Sequence, residues 1–123
     1  MGNRSNIYFR NGDNGIGVYS HWSGTDMAAA AMRVLDNSAF QSRLGDPSYA
    51  TRIAVQAVLE HLGSDTASDT GFGLWTSETG ECDNEHRFIV IDVNDGSLYV
   101  TDDWRKVKDA VRNPTVKTIR DLM

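Results

Sequence analysis

The residues Asn11-Gly12-Asp13-Asn14-Gly15 constrain this chain more than any others, because they separate two segments that alternate in strand fashion. Asn6 to Arg10 is rich in Ile, Tyr and Phe, and Ile16 to Ser20 repeats the pattern with Ile, Val and Tyr. Asn-Gly pairs tolerate the positive φ of tight turns, so the spacing predicts a β-hairpin. Gly12, Gly15 and Gly17 also outline a phosphate-binding loop, but their order is GxxGxG and no helix follows directly. A turn explains them better.

A second hairpin signature lies later. RFIVIDV, Arg87 to Val93, is the strongest strand pattern in the chain, and Asn94-Asp95-Gly96 and the strand-like SLYVT follow it. The unbroken apolar run Phe88 to Ile91 predicts a central strand covered on at least one face. Phe72 to Ser77 reads as a short strand, and SETGECDNEH, Ser77 to His86, supplies turn residues.

Helical spacing fills the gap between these strands. Ser23, Thr25 or Asp26 can cap a helix in which Met27, Ala31, Val34 and Leu35 form one apolar stripe. Ala28 to Ala31 makes that helix slim, able to approach a sheet or another helix closely, with an oligomer contact as the alternative. Asp46-Pro47 opens a second helix, since Asp is a good N-cap and Pro suits the first helical position. Thr51, Val55, Val58, Leu59 and Leu62 follow helical spacing, and Gly63 ends the run. Thr101, Asp102 and Asp103 can cap a third helix carrying Trp104, Val107 and Val111, which Asn113-Pro114 stops. The last residues, Thr115 to Met123, read equally as a strand or a short helix. The order predicts one α+β domain over residues 1–123, an antiparallel sheet of about five strands built from hairpins and packed by two to three helices.

Size and charge limit what such a domain does. A chain of 123 residues typically buries about two-thirds of its unfolded surface in one core. No segment approaches the roughly 20 apolar residues of a membrane span, and the start MGNRSNIYFR lacks a signal-peptide core, so the expected location is the cytoplasm. Cys82 is the only cysteine, which rules out an intrachain disulfide and fits a reducing compartment. The formal charge of -5 is concentrated between Gly63 and Glu85, where Asp65, Asp69, Glu78, Glu81, Asp83 and Glu85 occur with no Lys or Arg. The C-terminal bases from Arg105 to Arg120 are diluted by acids, so nucleic acid is not the expected partner.

The candidate sites follow from these placements. His21 and Trp22 stand at a strand-to-helix junction with Ser23, Gly24 and Thr25, beside backbone N–H groups able to hold an anion. One reading makes them a ligand site, an anionic nucleotide-like molecule stacked on Trp22 and hydrogen-bonded by His21. The other has Trp22 closing the core and His21 bonded to a loop carbonyl, the commoner use of such residues. Ser23 lacks the G-x-S-x-G setting of a hydrolase nucleophile, and no catalytic residue is assigned. Cys82, Asp83, Glu85 and His86 have metal-ligand chemistry but need further ligands from elsewhere, so no metal or other cofactor is expected. Asp92, Asp95, Asp102 and Asp103 have turn and cap roles. Trp75, between two acidic stretches, would suit a partner protein with a basic surface if exposed, or would fill the core if it points inward.

The opening Gly2-Asn3-Arg4, and Val18-Tyr19-Ser20-His21-Trp22-Ser23-Gly24 before an alanine-rich helix, resemble a group of small proteins of unknown function from bacteriophages and their bacterial hosts. Those proteins likewise open with Gly-Asn-Arg and carry a Tyr-x-His-Trp-x-Gly stretch. The resemblance covers about the first third of the chain, with Arg43 to Tyr49 a looser echo. It transfers no catalytic residues. It implies a phage-type accessory protein that disables a host protein, such as a defence protein, or sequesters a signalling molecule.

The combined expectation is a non-enzymatic binding protein. It would act through the acidic surface of Asp65, Asp69, Trp75, Glu78, Glu81, Asp83 and Glu85, or through an anionic ligand at His21 to Thr25. The alternative is a small hydrolase using His21 with Asp46, or a metal held by Cys82 and His86.

Overall fold

β1 (Ser5–Asn11) and β2 (Asn14–Ser20) form the expected hairpin, in a register that pairs Asn11 with Asn14 and leaves Gly12 and Asp13 as the loop. Gly12 sits at φ +60°, and no described non-glycine residue has a positive φ. That is the pattern of a two-residue turn with glycine at its first central position. The computed structural model describes residues 4–64, 67–68, 70–76 and 88–101. The expected third helix after Thr101, the C-terminal tail and the Cys82 to His86 group lie outside them.

A single 3-10 turn (Gly24–Asp26) leads into α1 (Met27–Asp36), followed by α2 (Ser38–Ser42) and α3 (Pro47–His61). Ala28, Ala30 and Ala31 of α1 lie inside the core, where their small side chains let the helix pack against α3 and over β1 and β4. The short α2 has no counterpart in the sequence reading. It is fixed by the Asn37 side chain, which accepts from the Phe40 amide, and by Phe40, which is fully buried. α3 begins with Pro47 as expected, but the Asp46 carboxylate makes no capping hydrogen bond and lies 3.4 Å from Arg43 instead. At the other end Gly63, at φ +81°, donates to the Glu60 carbonyl and Ser64 donates to that of Leu59. This paired closure satisfies the last carbonyls of the helix.

The sheet is completed by β3 (Phe72–Thr76), β4 (Phe88–Asp92) and β5 (Leu98–Thr101), in the order β3-β2-β1-β4-β5. The α+β class, the five strands and the helical layer are as expected. The sheet is mixed, however, and is not built from hairpins alone. β1 and β4 run parallel, Ile7 beside Ile89 and Phe9 beside Ile91. β3 pairs with β2, across the helical segment from it in sequence, so β3 and β4 are not neighbours in the sheet. Local turn chemistry reads only adjacent strands, and this pairing is settled by which strands can be covered on both faces.

β1 and β4 are the strands so covered. Ile7, Phe9, Val18, Ile89 and Ile91 meet α1 and α3, while Tyr8, Trp75, Phe88 and Val90 make a second buried cluster on the opposite face. Each fully buried side chain of this size is worth about 1.5–3 kcal/mol against exposure. That accounts for β4 being apolar without alternation, Phe88 to Ile91 all being buried.

Candidate functional site

α3 carries two apolar stripes where a core needs one. Ala50, Ala54 and Val58, each four residues from the next, are the buried stripe. Thr51, Val55 and Leu59 lie one residue further round and are only half-buried. They form one wall of a groove of about 1050 Å³, and Ile16 of β2 and Leu74 of β3 form the other. The helical pattern read from the sequence, Thr51, Val55, Val58, Leu59 and Leu62, draws on both stripes, and of these only Val58 is buried. The three alanine and valine positions hold the core because short side chains let α3 sit close to α1 and the sheet.

The groove exists because the helices do not reach the sheet's edge. A helix is about 10 Å across and strands lie about 4.8 Å apart, so two long helices cover about four strands. Val18 and Leu74 are register partners and face the same side. Val18, under the helices, is 0% exposed, whereas Leu74, one strand outward, is 63% exposed. An apolar side chain presented beside an apolar groove on an edge strand marks a binding surface rather than a scattered exposed leucine. Arg52, Gln56 and Glu60 give the groove a polar rim of both charges. The signal legible in the sequence was the width of the apolar arc on α3, too broad for one contact face.

The sequence-derived ligand residues gather at the other end of β2. The His21 Nδ1 and the Tyr19 hydroxyl share a hydrogen bond of 2.9 Å, and the His21 amide donates to the Gly71 carbonyl at 2.9 Å. Trp22 is 64% exposed, which corrects the reading in which it closes the core. Its indole stands edge-on to His21 with centroids 4.8 Å apart, and lies over Gly71, whose missing side chain it occupies. The amides of Ser23, Asp26 and Met27 donate to the Ser20 hydroxyl and to the carbonyls of Ser23 and Gly24. Those three donors are therefore engaged within the chain, and Asp26 adds a carboxylate to the same turn. Gly24 is buried, and the Thr25 side chain lies outside the described part.

Trp75 follows the inward-pointing one of its two readings, not the exposed partner-binding one. It is 5% exposed, stacked on Tyr8 at 5.2 Å, and its indole N–H donates to the Asn6 side chain at 2.9 Å. Gly17 opposite leaves the space its ring fills. Its ring is thus a core element, while its strand borders the groove. Asp65, Asp69, Glu78, Glu81, Asp83 and Glu85 lie outside the described residues.

Asp92 and Asp95 have the turn roles expected of them. Asp92 accepts from Arg10 at 3.0 Å and from the amides of Asn94 and Asp95, and the Asp95 side chain accepts from the Ser97 amide. Burial alone would lower the Arg10 guanidinium, but the hydrogen bonds and charges of Asp92 and Tyr99 together outweigh it and raise the group above its ordinary value. Asp46 does not meet His21. The Gly45 amide donates to Val93, whose own amide donates to Arg10, which sets Asp46 near the turn end of the hairpin, while His21 follows the far end of β2. Among the described residues no group of three or more His, Cys, Asp or Glu is placed to hold a metal, and no helix is long and apolar enough to cross a membrane.

The fold and these two features define an α+β domain with an open apolar groove and an exposed aromatic corner. Comparison with protein-family models, curated proteins and solved structures returned no match.

Proposed function

We propose that this is a non-catalytic binding protein whose partner presents an extended apolar segment flanked by Lys or Arg. The segment lies along β3 and sets alternate side chains into the groove beside Leu74. The observation that carries this reading is the exposed Leu74 on an edge strand, opening directly onto the apolar wall of Val55 and Leu59. Strand addition suits such a site, because main-chain hydrogen bonds supply affinity and a row of alternate pockets supplies selectivity.

Charge argues for the flanks. Asp69 precedes Phe72 by three residues and Glu78 follows Thr76 by two, and no base occurs from Gly63 to Glu85. At no more than about 3.6 Å per residue, chain connectivity alone keeps these acids near the two ends of β3. The expected acidic partner surface is therefore retained in a narrower form, with β3 and its groove between acidic segments and the Trp75 ring left out. In the setting implied by the resemblance to small phage and bacterial proteins, the partner is a host protein that the domain disables by occupying such a segment.

A fluorescent peptide alternating Val and Thr between paired lysines tests this directly. Fluorescence anisotropy should report saturable binding that added salt weakens and that Leu74→Arg abolishes. Equal binding of a peptide with acidic flanks, or full binding by the Leu74→Arg protein, would refute the reading.

A further inference from the structure

The face of the sheet opposite the helices carries an opening that the groove does not explain. Tyr19, Gly73, Gly17 and Trp75 share that face, since Tyr19 pairs with Gly73 and Gly17 with Trp75. The ladder continues one step through the His21 amide and the Gly71 carbonyl. Along this edge three positions follow one another. The Trp22 indole lies over Gly71, and Trp75 leans inward over Gly17. Between them Gly73 has nothing within 4 Å of the place where a side chain would begin, among the described residues.

The spacing along the strand leaves room there for an aromatic ring. Successive positions on one strand face are about 6.6 Å apart, and stacked aromatic rings sit with centroids about 4.5–7 Å apart. A flat ring resting over Gly73 would therefore lie against Trp22, which is 64% exposed although its edge is held by His21 and Gly71. Polar readout is at hand. The bond between Tyr19 and Nδ1 fixes the imidazole, leaving Nε2 as its second hydrogen-bonding atom. The Asp26 carboxylate in the adjacent turn opposes a second negative charge, so the corner favours an uncharged ring over an anionic group.

We infer that Trp22, His21 and the glycine-floored gap at Gly73 form a stacking site for a planar heteroaromatic ring of the nucleobase class, read by His21. Recognition here rests on the ring and needs no phosphate. The site shares no side chain with the groove, so neither reading depends on the other.

Isothermal titration of the full chain with adenosine, guanosine, cytidine and uridine tests the inference without relying on tryptophan emission. At least one nucleoside should bind, with an affinity that its monophosphate does not improve. Trp22→Ala should weaken it by roughly five- to a hundredfold, the usual loss when a base loses its aromatic platform. Gly73→Val, which fills open space at an edge strand and leaves Trp22 in place, should weaken it comparably. Leu74→Arg should leave it unchanged. Three results would each overturn the inference: no heat of binding with any nucleoside up to its solubility, affinity unaltered in both Trp22→Ala and Gly73→Val, or monophosphate binding that persists without Trp22.

Discussion

The Arg10 Nε donates to the Asp92 carboxylate across 3.0 Å, joining two residues that are register partners in the parallel strands β1 and β4. The guanidinium also lies 4.4 Å above the Tyr99 ring, so the pair ties β1, β4 and the edge strand β5 together at one end of the sheet. Asp92 holds the following loop as well, through the amides of Asn94 and Asp95. Removing the carboxylate strands a largely buried cation, so Asp92→Ala should destabilise the fold by roughly 3 kcal/mol in urea titration. The value of Arg10 is raised, so the stability it contributes is complete below its ordinary titration range and is lost only as pH rises through the raised value. The cost of Asp92→Ala should accordingly be unchanged between pH 7 and about 10, which the same titration repeated across that range would check.

Val18 and Leu74 face the same side of the sheet one strand apart, yet they should respond differently to truncation. Val18→Ala opens a cavity under the helices and should cost about 2 kcal/mol. Leu74→Ser should change stability by no more than about 0.5 kcal/mol, because its side chain is already in water. Its effect should appear in peptide binding. Thermal melts beside anisotropy measurements separate the two.

Gly17 and Gly73 form a second contrasting pair on the other face. A side chain at Gly17 would enter the Trp75 indole, which is held between Tyr8 and Asn6, so Gly17→Ala should cost about 1–3 kcal/mol through overpacking. Gly73→Ala meets open space and should be neutral or slightly stabilising, since it lowers the entropy of the unfolded chain. Chemical denaturation of both variants decides this.

Asn6 is fully buried and its side-chain carbonyl accepts the Trp75 indole N–H. Asn6→Leu leaves that donor unsatisfied in the core and should cost about 1–3 kcal/mol, with a shift in tryptophan emission that marks the lost hydrogen bond.

The strands of the first hairpin, the slim α1, the proline start and glycine stop of α3, and the buried character of β4 were all legible in the sequence. Each depends on residues within a few positions of one another, where turn stereochemistry, capping and apolar spacing act directly. Which apolar stripe of α3 faces the core was not legible, because Ala50-Ala54-Val58 and Thr51-Val55-Leu59 have the same period and differ only in what the sheet places opposite them. Nor was the parallel union of β1 with β4, which brings together Arg10 and Asp92 from distant parts of the chain. The burial of Trp75 and the exposure of Trp22 likewise follow from Gly17 and Gly71, glycines that make room across a strand pair rather than along the chain. Local chemistry chose the elements. Their pairing, and with it the groove and the aromatic corner, was decided by how two helices of fixed width could cover five strands.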